Sequence, residues 1–526
     1  MQKVFRLLTA MALGLSVLVS SGHLFGQSAG GSSVKLNVVE HKFKNGLRLL
    51  MVERHDTPVI SSHIVFNVGS VDERPGLTGT SHILGHMMFK GTTTIQTTNY
   101  EAEIPLMQEM DGIYAQIRVL LDKRTNSTFT EADAAKVKEL RAQIDALQEQ
   151  EKKYTVQNDL DVITAKRGFN GLNASTGNDT TQYVETFPSN QLEVWAYFES
   201  ERIHHPVFRE FYSEKDVVME ERRLSTDNVP QGRLQEAFEA TAFTAHPYHE
   251  PVVGWMTDLD TVTRQQVADY FKTYYAPNNT TIVLVGDLNP DEVIKLIEKY
   301  FGSIPSQTPP EGVHVVEPEQ HGERRVTVKF DASPSLLIGW HVPNVLHPDG
   351  ATLSVISSIL TSGRTGRLFK GLVLDQQIAS NVASNYGTTK YPTMFRLSGA
   401  PRNQKSLEDL EKALLAEIDK LKKEPISDEE LQKVRNQIDA NFARGLESNA
   451  GLASALGTSA VVLGDWHQIL TLNERRRAVT AADIQRVAQK YFTTDNLTVA
   501  YLVRESNGPA RQNRRGNPGQ GMEKSK

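Results

Sequence analysis

The sequence predicts an α+β protein built twice: two duplicated domains of sheet covered by helices, with a helical-hairpin insertion in the first. Three observations point there. The chain has 526 residues, too many for one ordinary core. It repeats itself at domain scale. It also mixes apolar strand-like runs with amphipathic helix-like runs.

The repeat is read directly. "VTRQQVADYFKTYYAPNNTTIVLV" starts at Val262 and "VTAADIQRVAQKYFTTDNLTVAYLV" at Val479, an offset of 217. Tyr274 meets Tyr491, Asn279 meets Asn496 and Ile282 meets Val499. Each copy reads as an amphipathic helix, a polar turn and an apolar strand. A period of that size marks a duplicated domain and not a solenoid. Chance likeness of a common helix–turn–strand unit is the alternative.

From the N-terminus, Lys3 and Arg6 precede the apolar run "LLTAMALGLSVLVS" and the small residues "SSG". This is the pattern of a signal peptide, 1–26, cut between Gly22 and Ala29, with an N-terminal membrane anchor as the alternative. The first domain is expected over 37–304, with strands such as "LRLLMVER" and "SHIVFNVGS" and helices such as "PDEVIKLIEKYFG". Within it, 101–153 reads as an insertion: two charged helical stretches separated by the polar break "TNSTF". An αα-hairpin or one bent surface helix both fit. Residues 305–325 are rich in proline and polar side chains and read as a linker. A second domain follows over 326–505. The segment 506–526 has almost no apolar residues and reads as a disordered basic tail.

Composition excludes some functions. A hydrophobic content of 39% and a charged content of 23% are globular values. A net charge of −6 provides no general attraction for nucleic acid or anionic membrane. With no cysteine, the chain has neither disulfides nor a lipid-anchored cysteine. The expected protein is exported to a periplasm, binds no nucleic acid and keeps no stable membrane insertion once its signal is cut.

The chemistry starts at "TGTSHILGHMMFKGT", 78–92. His82 and His86 are four apart, so on a helix they share a face and can hold one ion. Such pairs also arise in cores and on surfaces. A third ligand is needed, and "EKDVVMEERR" offers Glu214 and Glu221 two turns apart on one helical face, unless that face is merely solvated. His246 and His249 in "AHPYHEP" read as structural.

These segments, with "GLNASTGNDTTQYVETFP", "HPYHEPVVGWMTDL" and "PNNTTIVLVGDL", occur in the order found in the pitrilysin/insulinase family. That family's zinc peptidases carry the inverted motif His-x-x-Glu-His. The resemblance runs from about residue 37 to 505 and is nearest to short bacterial members resembling single subunits of the mitochondrial processing peptidase. It implies one Zn2+ per chain, with His82, His86 and Glu221 as ligands. It implies that Glu214 is a supporting acid behind Glu221, and that Asn173 and Ala174 lie on the edge strand along which a peptide aligns. It also implies two such units closing around a chamber for unfolded peptides.

Three positions depart from the family pattern. Gly85 stands where the family has its catalytic glutamate, so the general base is missing and the site is expected to be impaired or inactive. Val373 and Ser380 stand where the second domain of complete members has an arginine and a tyrosine. The resemblance therefore implies a homodimer, or a heterodimer with an Arg/Tyr-bearing subunit. The alternative function is a non-catalytic peptide-binding or assembly partner of such a subunit.

Overall fold

A computed structural model describes residues 35–156 and 159–505. The expected signal peptide and the expected basic tail lie outside the described residues.

Strand-forming runs gather into two sheets. The first contains β1 (Val39–Lys42), β2 (Arg48–Glu53), β3 (Val59–Phe66), β4 (Asn170–Thr176), β5 (Thr181–Pro188) and β6 (Thr280–Gly286), in the order β1-β2-β6-β3-β5-β4. The second contains β7 (Arg324–Phe330), β8 (Ser335–Val342), β9 (Ala379–Asn385), β10 (Thr393–Pro401) and β11 (Leu497–Arg504), in the order β7-β11-β8-β10-β9. Apart from β1 the two sheets share one topology. β2 runs parallel to β6 as β7 runs parallel to β11, and every other pairing is antiparallel. The repeat reaches single residues. The helices Arg264–Tyr274 and Ala481–Tyr491 start and stop at the same offset of 217, and Thr263 and Thr480 each close a capping box on them.

β6 and almost all of β3 are buried, as expected of central strands covered on both faces. The helical layers are partly exchanged. The helix Asn449–Val462, late in the chain, lies against β3 and β6 of the first sheet. The helix Pro230–Ala242, from the earlier part, lies on β7, β8 and β11 of the second. Close approach in the first case needs Gly457: a Cβ there would meet Val65 Cγ2 at 2.9 Å and Val283 Cγ2 at 3.5 Å. Residues 302–323, between the helix Pro290–Phe301 and β7, contain no helix or strand. The stretch 101–153 forms two helices, Tyr100–Leu121 and Glu131–Glu151, which pack on each other as a hairpin.

The short helix Thr80–Met87 is entered through Gly79 at φ 82°. Glu73 straddles its first turn, accepting from the Gly79 N–H at 2.7 Å and the Ser81 N–H at 2.6 Å. Asp258 accepts from the Thr78 N–H and hydroxyl, and the Ser81 hydroxyl meets that of Tyr270 at 2.7 Å. Burial pushes the Glu73 carboxyl up to about 8, although the Ser81 and Gly79 N–H groups oppose the shift.

Two predictions follow from this packing. Gly445→Ala, at an exposed helical position where a Cβ meets nothing within 4 Å, is expected to stabilise by about 0.5–1 kcal/mol, whereas Gly457→Leu is expected to cost about 1–3 kcal/mol in urea unfolding. The folded pKa of Glu73 lies above its ordinary 4.5. Its contribution to stability is therefore full below about pH 4.5 and lost as pH rises through about 8. Glu73→Gln is expected to flatten that part of the pH–stability curve.

Candidate metal centre

Two helices bring the polar side chains together. The histidine helix Thr80–Met87 carries His82 and His86 one turn apart, on the side facing β4 and the glutamate helix Phe211–Arg222. The glutamate helix presents Glu214, Val217 and Glu221 outward and buries Phe211, Tyr212, Lys215, Val218, Met219 and Arg222. The spacing that suggested one polar face is therefore realised.

Three of the sequence candidates converge. One ligand atom from each of His82, His86 and Glu221 lies within 4.8 Å of the other two, the only such group of three among the described residues. Glu221 Oε2 is 3.0 Å from His82 Nε2 and 3.4 Å from His86 Nε2. Two imidazole nitrogens and a carboxylate oxygen form a donor set that suits zinc. The hydrogen bond from His82, with the charges of both imidazoles, holds the Glu221 carboxyl below the usual glutamate range against its burial. That keeps a ligand oxygen ionised.

Glu214 belongs to the same site but not at the expected place. It does not stand behind Glu221; it lines the cavity itself, with Oε2 3.4 Å from His86 Nδ1 and Oε1 2.5 Å from Lys90 Nζ. The helix turns by about 20° short of two full turns between positions seven apart, so Glu214 and Glu221 sit side by side on the face. A carboxylate on Nδ1 orients the imidazole and leaves Nε2 for a metal. Burial works to raise the Glu214 carboxyl, but hydrogen bonds from His86 and Lys90 hold it below the ordinary range.

The cavity has a volume of about 550 Å³. The histidine helix, Lys90 and Glu214 form one side, and Asn173–Thr176 of β4 form another. Gly85 opens onto it. A Cβ at Gly85 would meet Thr176 Oγ1 at 3.3 Å, a tight contact. β4 is the outer strand of its sheet, paired with β5 on one side only, with a bulge between Asn170 and Asn173. Asn173 Oδ1 accepts from the Ala174 N–H at 2.9 Å, so the strand edge is partly occupied by its own side chain.

The remaining candidates lie apart from this cluster. His246 Nδ1 accepts from the Tyr248 N–H, and His249 bonds the His246 carbonyl, so both serve a local turn. Val373 is buried in the second core. Ser380 is exposed on β9, where its hydroxyl donates to the Ala400 carbonyl. Sequence reasoning missed Lys90, Arg209 and Glu210, all of which line the cavity. Lys90 had a legible signal, since it continues the stripe 82, 86, 90. Arg209 had none: its guanidinium donates to Glu103 and to the carbonyls of Lys90, Thr92 and Ile95, all distant in sequence.

Residues 261–438 match a family model described as "Peptidase M16 inactive domain", and residues 48–109 match "Insulinase (Peptidase family M16)". The chain is 29% identical over 473 residues to zinc protease PqqE of Helicobacter pylori, covering 87% of this chain and 91% of that protein. It is 23% identical over 482 residues to a probable mitochondrial-processing peptidase subunit beta of Arabidopsis thaliana, covering 87% of this chain and 77% of the relative. Among solved structures, a protease from Helicobacter pylori superposes with a TM-score of 0.74 at 26% identity, over 89% of this chain and 99% of that one. A two-sheet α+β fold, two histidines facing a glutamate and these matches lead to one conclusion: the chain belongs to the pitrilysin/insulinase family of peptidases.

Proposed function

We propose that the chain is the metal-bearing subunit of a zinc peptidase for unfolded peptides, impaired or inactive at the proton-transfer step by Gly85. The observation that carries this reading is the convergence of His82, His86 and Glu221 beside a cavity wall where Gly85 has no side chain. The three residues would hold one zinc ion per chain. Zinc bound there supplies Lewis acidity, polarising a carbonyl and acidifying water.

The chain's own residues would do the rest. The free edge of β4 at Asn173 and Ala174 would take an extended peptide as an added strand, once the Asn173 carboxamide swings off the Ala174 N–H. Lys90 and Glu214 would hold His86 in orientation. What is missing is a group that takes a proton and passes it to the leaving amine. Glu214 is a poor substitute, because a carboxyl with a lowered pKa, already engaged by His86 and Lys90, is a weak base. The domain limits proposed are 37–304 and 326–505, joined by the linker 305–325.

With Val373 and Ser380 in place of a guanidinium and a phenol, the proposed assembly is a homodimer, or a heterodimer with an Arg/Tyr-bearing subunit. Export to a periplasm fits the N-terminal pattern, and among the described residues no helix is long and apolar enough to cross a membrane. Gly85 also favours a second reading, in which the chain is a non-catalytic peptide-binding or assembly partner.

Hydrolysis of a quenched peptide library, with an Arg/Tyr-bearing subunit present, tests the proposal. Gly85→Glu is expected to raise the rate by about 10²–10⁴-fold. No gain would count against the mechanism and favour the binding-partner reading. Metal analysis after dialysis is expected to find one zinc in the parent chain and in Gly85→Glu, and none in His82→Ala or Glu221→Gln. Retained stoichiometric zinc in the last two would sink the ligand assignment.

A further inference from the structure

The buried side of the glutamate helix is more polar than a core needs. Besides Phe211, Val218 and Met219 it carries Tyr212, Lys215 and Arg222. Each is held by a different neighbour. The Tyr212 hydroxyl donates to Asp111 at 2.8 Å, and Asp111 also takes Arg264. Arg222 donates to the Gly254 carbonyl and to Glu236, each at 2.8 Å.

Lys215 lies between them, 2% exposed. Its ammonium donates to the Tyr114 hydroxyl and, at 3.2 Å, to the Asp260 carbonyl, and it stands 3.8 Å from the centre of the Tyr114 ring. Tyr114 belongs to the first helix of the inserted hairpin and itself donates to the Asp260 carbonyl. The Asp260 carboxylate is gripped by Arg124, just beyond that helix, and by Arg141 on the second. Burial pushes the Lys215 ammonium down to about 7. An apolar residue of similar volume would avoid that cost, since replacing buried charges by hydrophobes is often neutral or stabilising. A lysine here needs a reason other than stability.

Geometry supplies one. Lys215 follows Glu214 directly and precedes Glu221 by six residues, so it projects roughly 100–120° around the helix from both. It is tethered on the side away from the site, between the Tyr212 and Arg222 tethers. We propose that Lys215 is a positioning residue: seated between the Tyr114 hydroxyl and the Asp260 carbonyl, it sets the rotation of the helix Phe211–Arg222 against the inserted hairpin, and so the place of Glu221 beside His82 and His86. The insertion is then part of the site's framework. This inference rests on the metal assignment above.

The test uses the full chain and two readouts, zinc affinity by competition with a chromogenic chelator and the melting temperature of the metal-free chain. Lys215→Met is expected to weaken zinc about tenfold or more, as losses in the supporting shell of a metal site do, while the metal-free melting temperature stays level or rises. Tyr114→Phe is expected to weaken zinc in the same direction by less. The double variant is expected to be no weaker than Lys215→Met, because both act through one contact. Unchanged zinc affinity in Lys215→Met overturns the proposal, as does a loss that only tracks a fall in melting temperature. If Lys215→Met does not fold, Tyr114→Phe decides alone, and unchanged affinity there overturns it. A parent chain that takes up no zinc overturns the metal assignment and this inference together, whereas a parent that binds zinc with both variants unaltered overturns the inference only.

Discussion

The site depends on holding an eight-residue helix in place. A helix of that length is not stable in water by itself, because its nucleation cost is spread over too few hydrogen bonds. Thr80–Met87 persists because its surroundings meet its needs one by one. Glu73 takes two of the N–H groups at its start. Asp258 and Tyr270 tie down the residues around them. Ile83, Leu84 and Met87 are fully buried against the first core. The remaining side, with His82 and His86, is left to the cavity.

The same demand explains the buried ionic groups nearby. Arg209 and Glu103 are almost wholly out of water. Such a pair is costly unless its other donors are satisfied. Here they are: the guanidinium ties together the carbonyls of Lys90, Thr92 and Ile95, the turn that follows the histidine helix. Lys90, in turn, holds Glu210 and Glu214. Charges that add little to net stability thereby fix where a loop and two helices meet. Larger elements act alike. By exchanging the helices Asn449–Val462 and Pro230–Ala242, the earlier and later parts of the chain each cover the other's sheet.

Much of this was legible in the sequence. The repeat at an offset of 217 located a helix and a strand in each half, because capping threonines and apolar strands recur at fixed spacing. The i, i+4 histidines and the i, i+7 glutamates each specified one helical face. Other features were not legible. Glu214 was expected behind Glu221 and instead lines the cavity. Lys215 has no local signal, since its partner Tyr114 lies 101 residues away. Glu73, which anchors the histidine helix, was not among the sequence candidates.

The sequence by itself determined the family, the duplicated α+β plan, the candidate ligands and the glycine between the two histidines. These follow from local periods and residue types, which act within a turn or a strand. Only the tertiary structure decided which faces meet: that His82, His86 and Glu221 lie within 4.8 Å, that Glu214 rests on His86, and that an inserted hairpin grips the glutamate helix from behind. Those contacts join residues far apart along the chain. They are set by how buried polar groups find partners once the two sheets and their helices have closed, which no local pattern specifies.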